Sequence, residues 1–370
     1  MLIYIMMLLV ISTFGICTYK LKNKQKHFLY FACIVLFLVS GLRDVTVGSD
    51  TVSYIEAFNF IKGNSLSQSL DLYFEKGYIL YNYIISRFFS SPQLLLIISS
   101  FITILLIGKF IYKNSKNAYL SIYLFITLMY YYSSMNILRQ YIAVSIIAFG
   151  YEYVKKRKFL RYLLCIVIAA LFHNTALMAI VIYYLYGLKF SFKKLILFFL
   201  STLVIYFMFV PFFNIIIDLF PRYTAYETRL DSNNLASYLS MLVYTVVLFF
   251  GLIFKYYEVE KKENITTSSI ELIKETEKED DNLKSVMTYI ILIAVLLTFL
   301  STKLNILARA NIYFSIFTII YIPNVLKEIK NKDLRNLWTY IIVILFGLYN
   351  LILFLYRPDW HRVVPYKFFF

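Results

Sequence analysis

The chain has 370 residues, of which 61% are hydrophobic and only 16% are charged, and its mean hydropathy is +0.70. This composition excludes an ordinary soluble domain, and apolar runs of about 17 residues or more are long enough to cross a hydrocarbon core of ~30 Å as helices. The runs lack the polar–apolar alternation of a membrane β-barrel. The net charge of +16 does not indicate a nucleic-acid partner, because the lysines fall in short clusters between the apolar runs. The sequence therefore predicts an all-α polytopic membrane protein.

About twelve transmembrane helices are predicted, and the whole chain, 1–370, is expected to form a single transmembrane domain. The predicted spans are 2–19, 28–42, 92–112, 118–135, 138–154, 159–172, 175–188, 194–217, 236–255, 285–301, 309–326 and 337–356. The stretch 159–188 is divided at Phe172–Thr175, because the polar residues His173 and Asn174 are costly in the middle of a membrane and tolerated at its surface.

The lysine clusters predict the orientation of these spans. Clusters at 20–26, 113–116, 155–158, 189–194 and 327–332 all fall on one side of the predicted topology. Cytoplasmic loops carry such an excess of basic residues, so this side is predicted to be cytoplasmic and both termini to be external.

Two segments between spans are long. Residues 43–91 form the largest predicted external loop, with short amphipathic helices, one of them over 51–61 with Asp50 as its N-cap and Gly63 at its end. Residues 256–284 are polar and of mixed charge, which predicts a cytoplasmic loop.

Arginine is distributed differently from lysine. Eight of the eleven arginines fall on the predicted outer side: Arg43, Arg87, Arg139, Arg222, Arg229, Arg309, Arg357 and Arg362. Guanidinium presents a planar fork of donors that matches phosphate or carboxylate oxygens. The alternative is that these side chains snorkel to the membrane surface or pair with external acids.

Amide side chains accompany two of these arginines at helical spacing. Asn136 lies one turn before Arg139, and Gln140 follows it directly. In the same way Asn305 precedes Arg309, and Asn311 follows. Residues three or four apart share a helix face, so each arginine and an amide are predicted to lie together.

His173 is the candidate acid–base residue. Histidine titrates near neutral pH, and this one is predicted at a span end on the arginine-rich side. The alternative is a hydrogen-bonded residue at the membrane surface. The histidines lack the spacing of a zinc site, so neither a metal nor another cofactor is expected. Arginines, amides and one histidine suit an anionic, lipid-linked substrate.

At these positions the chain resembles the EpsG family of bacterial polysaccharide polymerases, a Wzy-type group. The resemblance is carried by Gly41-Leu42-Arg43 with Gly48-Ser49-Asp50, Tyr54, Glu75 and Gly77, by Arg139-Gln140 with Ala143, by Phe172–Ala176, and by Arg309 with Pro365-Tyr366. Ser49 and Thr175 depart mildly from the expected threonine and serine.

The resemblance implies a glycosyltransferase of the bacterial cytoplasmic membrane with a GT-C-like architecture. Its reaction would join undecaprenyl-pyrophosphate-linked oligosaccharide units, donor and acceptor, into an exopolysaccharide, capsule or O-antigen chain. A flippase and a chain-length regulator are the expected partners. The alternatives are that the chain is itself a lipid-linked oligosaccharide flippase, or an acyltransferase that modifies the polymer.

The expected site follows from these residues. Arg43, Arg139 and Arg309 are predicted to bind pyrophosphate or substrate, together with Gln140, Asn136, Glu75 and Tyr54. His173 is the predicted general base. Asp50 is the second candidate, although an N-cap role explains it equally well.

Overall fold

The protein is described from a computed structural model, which describes residues 1–18, 20–219, 235–254, 271–303, 306–358 and 360–370. Within these residues the fold is all-helical, and the backbone pairing outside helices is one isolated antiparallel bridge between Arg43 and Phe368. The α-helices of the described part are α1 (Leu2–Thr18), α2 (Lys24–Gly41), α3 (Thr51–Gly63), α4 (Leu66–Ser69), α5 (Lys76–Phe88), α6 (Gln93–Asn114), α7 (Ala118–Thr127), α8 (Tyr130–Asn136), α9 (Leu138–Lys155), α10 (Phe159–Phe172), α11 (Ile180–Tyr184), α12 (Phe192–Leu219), α13 (Leu235–Ile253), α14 (Glu271–Ser301), α15 (Ile306–Ser315), α16 (Thr318–Glu328) and α17 (Lys332–Tyr356).

The chain divides into two compact units. The first consists of Met1–Leu177 together with Ile329–Phe370, and the second of Met178–Glu328. In the first unit α6 and α9 pack together, with α2 against α6 and α10 against α9. In the second unit α14 packs against α13 and α15.

Five helices of the described part are long and apolar enough to cross a membrane. They are Gln93–Asn114, Phe192–Phe209, Leu235–Ile253, Asn282–Ser301 and Lys332–Tyr356, each on a predicted span. The chain is therefore a helical membrane protein, while the total of twelve spans and the GT-C-like arrangement stay predictions.

Two predicted spans are interrupted. The segment 118–135 breaks after α7, because Met129 takes a left-handed backbone with φ +69° and ends the helical path before α8. The segment 309–326 is divided between α15 and α16. Each piece is shorter than the roughly 20 residues that a single crossing needs.

The predicted break at His173 is confirmed. Helix α10 ends at Phe172, and the His173 amide donates to the Ala169 carbonyl (2.9 Å) as the backbone becomes extended. A 3-10 turn, Asn174–Ala179, and the short α11 follow. The α-helix is therefore interrupted at the histidine.

The segment 43–91 contains three short helices, α3, α4 and α5, as the amphipathic pattern indicates. Helix α3 begins at Thr51 and ends at Gly63, but the prediction of Asp50 as a side-chain N-cap is wrong, since its carboxylate makes no capping hydrogen bond. Instead the Thr51 hydroxyl donates to the Val47 carbonyl (2.8 Å).

An apolar cluster holds the short helices on the longer ones. Tyr54 and Phe58 of α3 pack with Tyr78 of α5, Leu95 of α6 and Leu138 of α9. All five are buried. This cluster places the starts of α3, α5 and α9 next to one another.

Of the predicted cytoplasmic loop 256–284, residues 256–270 lie outside the described residues. Residues from Glu271 onward belong to α14, which continues through the apolar stretch to Ser301. The cytoplasmic location of this segment stays a prediction.

Candidate functional site

One carboxylate joins two residues that are distant in sequence. Glu75 Oε2 forms an ion pair with Nη1 of Arg139, and its Oε1 lies 3.1 Å from Nδ1 of His173. The Asn174 amide also donates to Oε1 (3.4 Å). Arg139, Glu75 and His173, here called the Glu75 cluster, have side chains 11%, 12% and 15% exposed.

Three helix ends assemble the Glu75 cluster. Glu75 lies directly before α5, Arg139 is the second residue of α9, and His173 directly follows α10. The close approach of α5 to α10 at Gly77 brings the first and last together. A Cβ on Gly77 would lie 2.4 Å from Leu171 Cβ and 2.7 Å from its carbonyl oxygen, so only glycine fits there.

Aromatic rings enclose the guanidinium of Arg139. Its Cζ lies 4.5 Å from the ring centroid of Phe74, 5.6 Å from that of Tyr78 and 5.8 Å from that of Tyr54. Cations are attracted to aromatic faces at such distances, more strongly where water is excluded. The rings therefore hold the guanidinium at the start of α9.

The beginning of α9 is electropositive. A helix N-terminus carries a partial positive charge, and no side chain caps this one at Ile137. Arg139 adds a full charge to the same turn. Glu75 neutralises part of this charge through one nitrogen, and guanidinium has five N–H donors in all. A second anion would also be favoured at this turn.

The protonation of Glu75 reflects this environment. Burial raises the pKa of its carboxyl, but the hydrogen bond with His173 and the charge of Arg139 outweigh this, so the pKa lies below its usual value. The carboxylate is therefore ionised at neutral pH. Nδ1–H of a neutral His173 donates to it, which leaves the lone pair on Nε2 as the basic position of the ring.

Asp50 and Asn136 meet at a turn beside the cluster. Asn136 Oδ1 accepts from the Ser49 hydroxyl and from the Asp50 backbone amide, both at 2.9 Å. Gly48 has φ +97°, and a Cβ there would lie 2.9 Å from the Met135 carbonyl oxygen. The Ser49 hydroxyl and the Asp50 amide thus attach the 48–50 turn to the end of α8. The partly buried Asp50 carboxylate makes no hydrogen bond within the described residues.

Tyr54 and Gln140 are almost completely buried, at 4% and 2% exposure. Tyr54 lies one turn after Asp50 on α3, and its ring packs edge-on against Tyr78. Gln140 follows Arg139 on α9. Both are therefore interior residues rather than surface residues.

Arg43 is placed differently from the prediction, since it is completely buried. Nη1 donates to the Ser40 carbonyl and to the Ser100 hydroxyl (3.3 Å), and Nη2 donates to the Met135 carbonyl (3.0 Å). Its charge and planar donors therefore connect α2, α6 and α8. Arg43 therefore links three helices by hydrogen bonds inside the first unit.

The C-terminal tail pairs with the backbone around Arg43. Amides of Asp44 and Gly48 donate to the carbonyls of Lys367 (2.9 Å) and Arg362 (2.8 Å), and the Phe369 amide donates to Leu42 (3.1 Å). Two tyrosines add further bonds: Tyr4 donates to the Val363 carbonyl and Tyr366 to the Val39 carbonyl, both at 2.8 Å.

Arg309 lies on α15 of the second unit and is exposed, and Asn311 on the same helix is buried. Arg222, Arg229 and Asn305 lie outside the described residues. Among the described residues, no three His, Cys, Asp or Glu side chains lie close enough together to bind one metal ion.

Phe74 is the functional residue that sequence reasoning missed. It supplies the nearest ring to Arg139, although nothing in its sequence position separates it from the many other aromatics of the chain. Its position directly before Glu75 was the sequence feature that could have indicated it.

Comparison with known proteins agrees with these observations. No curated protein and no solved structure gives a significant match to the chain. The sequence profile of the EpsG family matches residues 26–368, which include the whole Glu75 cluster and the 48–50 turn. Because this match spans nearly the whole chain, the protein belongs to the EpsG family, a family of Wzy-type polymerases.

Proposed function

We propose that this protein joins undecaprenyl-pyrophosphate-linked oligosaccharide units into a polysaccharide at the outer face of the bacterial cytoplasmic membrane. The observation that carries the proposal is the Glu75 cluster: one partly buried carboxylate joins an arginine at a helix N-terminus to a histidine. The reaction needs stabilisation of a departing pyrophosphate and a place for one proton. The arginine and the histidine are suited to these two needs.

In the proposed step, the acceptor hydroxyl oxygen forms a bond to the anomeric carbon of the donor. The bond between that carbon and the pyrophosphate oxygen breaks, and polyprenyl pyrophosphate leaves with the electron pair. His173 Nε2 takes the hydroxyl proton, while Glu75 holds the other ring nitrogen and stabilises the imidazolium that forms. Glu75 is therefore a positioning residue for both of its partners.

Arg139 is proposed to bind the pyrophosphate with the N–H groups that neither Glu75 nor Tyr54 uses. Each charge-assisted hydrogen bond contributes about 1.5–3 kcal/mol. The N-terminus of α9 favours the same anion. The surrounding rings of Phe74, Tyr78 and Tyr54 limit the movement of the guanidinium, so its donors are oriented before the substrate arrives.

The other predicted residues take different roles in this proposal. Asp50 is the second candidate base, and Asn136 orients its turn. Tyr54 holds the Arg139 guanidinium through its ring, and the buried Gln140 follows Arg139 on α9. Arg309 belongs to the second unit, and its binding of pyrophosphate stays a separate prediction. Arg43 is assigned a structural role because its bound donors serve protein oxygens.

The proposal is tested in a deletion strain complemented with variants, whose glycans are separated by length. His173→Ala and Arg139→Ala are expected to abolish the long-chain ladder and leave single units outside the cell, while membrane levels stay normal. Arg87→Ala is the matched control, since that exposed arginine contacts the Asn64 carbonyl and the Tyr83 ring and, among the described residues, no member of the Glu75 cluster. A normal ladder in both cluster variants would exclude the assigned site.

The same strain separates a polymerase from a flippase. Loss of a polymerase leaves lipid-linked units on the outer side of the membrane, accessible to an added glycosidase in intact cells. Loss of a flippase leaves them inside and protected. Protected units would overturn the proposed reaction.

A further inference from the structure

A cavity of about 750 Å³ lies in the first unit between α1, the start of α2 and α7. Its walls are mainly apolar, with Leu8, Ile11 and Ile16 on α1 and Ile122 and Ile126 on α7. Lys20 and Asn117 line it at one end of these two helices. The cavity is thus amphipathic, and none of its lining residues belongs to the Glu75 cluster.

The cavity follows the helices for the depth of one membrane leaflet. Its lining residues run from Leu8 to Cys17 on α1 and from Asn117 to Ile126 on α7, about 14 Å along each helix at 1.5 Å per residue. Half of a hydrocarbon core is about 15 Å. With α1 and α7 in the bilayer as the sequence predicts, the polar end would lie at a membrane surface and the apolar end near the bilayer centre.

The polar end offers donors to an anion. Lys20 is exposed and carries an ammonium. The amide oxygen of Asn117 accepts from the Leu120 backbone N–H (3.2 Å). The helix cap therefore uses the oxygen and not the NH₂ group, which can donate to a ligand. An ammonium and an amide N–H suit phosphate oxygens.

The position of this end identifies the source of the phosphate. Lys22 and Lys24 follow Lys20, so this is the lysine-rich end of the predicted spans. Lysine-rich ends face the cytoplasm, where the leaflet carries acidic lipids that attract juxtamembrane cations.

We propose that this cavity binds one acidic phospholipid, with its phosphate at Lys20 and an acyl chain between α1 and α7. The size agrees with the 300–1,000 Å³ typical of small-molecule sites. A lipid that binds only the folded protein raises its thermal stability. This proposal concerns the opposite end of the helices from the predicted catalytic face and does not rest on the proposed reaction.

The first test uses the purified full chain, with native mass spectrometry and thermal unfolding in detergent. Wild type is expected to retain phosphatidylglycerol and to unfold at a higher temperature when it is added, with a smaller response to phosphatidylcholine. Ser12→Phe fills the cavity and should remove both effects. Thr13→Phe is the matched control, because Thr13 is exposed on the same helix and does not line the cavity.

The second test leaves the apolar wall of the cavity unchanged. Lys20→Gln is expected to weaken phosphatidylglycerol binding about fivefold, since one juxtamembrane cation contributes about 1 kcal/mol, while Lys22→Gln changes it less. Equal binding of both lipids, or unchanged binding in Ser12→Phe and Lys20→Gln, would overturn the proposal. So would retention of polyprenyl phosphate or a second chain in place of phosphatidylglycerol.

Discussion

Gly77 of α5 and Leu171 of α10 lie in backbone contact, with no space for a side chain between them. Glu75 stands two residues before the glycine, and His173 stands two residues after the leucine. The contact therefore fixes the separation of a carboxylate and an imidazole that belong to different helices. The 3.1 Å distance between Glu75 Oε1 and His173 Nδ1 depends on a residue that takes no part in the bond.

Gly77→Ala should consequently impair the site from outside it. The added methyl group forces α5 and α10 apart, which costs about 1–3 kcal/mol of unfolding free energy and separates Glu75 from His173. We expect a lower thermal midpoint and a shorter or absent glycan ladder. Gly63→Ala is the control, because nothing lies within 4 Å of the Cβ it would add. Equal behaviour of the two variants would contradict the role of this contact.

The ion pair between Glu75 and Arg139 predicts strong coupling. Glu75→Gln leaves Arg139 without its counter-charge in a partly buried position, which should destabilise the protein by about 3 kcal/mol. Arg139→Gln in the same background should restore much of this loss. A double-mutant cycle on thermal or denaturant unfolding measures the coupling, which would be absent if the two changes were additive.

Acid should weaken the Glu75 cluster. The hydrogen bond from His173 and the charge of Arg139 lower the pKa of Glu75 despite its burial. A lowered pKa stabilises the folded state above the ordinary glutamate value of about 4.3, and this contribution is lost as the pH falls through the folded-state value. Wild type should therefore lose stability more steeply than Glu75→Gln between about pH 5 and pH 3. Parallel pH profiles of the thermal midpoint would contradict this.

Asn136 should act through the turn that it holds. Asn136→Ala removes the acceptor for Ser49 and for the Asp50 amide, at a cost of about 1–3 kcal/mol, and frees the turn that carries the Asp50 carboxylate. Asn136→Asp keeps an acceptor oxygen and should recover most of the polymer. Asn64→Ala is the control, since that partly exposed side chain donates to the Phe60 carbonyl of its own helix turn and has no bond to the 48–50 turn among the described residues. Failure of the aspartate to recover activity would argue against an acceptor role.

The sequence could identify the members of the Glu75 cluster but not their connection. Arg139 and His173 stood out by residue type at span ends, and Glu75 only by resemblance. Glu75 is 64 residues from one and 98 from the other. Their contact depends on how α5, α9 and α10 pack, which no local pattern encodes. Whether a charged residue is exposed or buried also depends on contacts between segments that are distant in sequence. The local sequence at the end of α2 therefore predicted Arg43 as a ligand-binding residue and did not indicate its burial.

Helix interruptions show the same limit. The break at His173 was predictable, because polar residues there are costly in a membrane. The break at Met129 was not, since methionine lacks the conformational freedom that makes glycine a signal for positive φ. Tertiary packing overrides the local preference at this position, and 7% exposure shows how completely Met129 is enclosed.

The pairing of residues 362–369 with residues 42–48 sets an order on biosynthesis. The segment around Phe368 is made about 320 residues after Arg43, with which it pairs. The turn that carries Asp50 therefore forms without the Arg362 carbonyl that its Gly48 amide requires until α17 has been synthesised. A chain not yet made as far as Arg362 would insert its earlier helices and still lack the closure of this region.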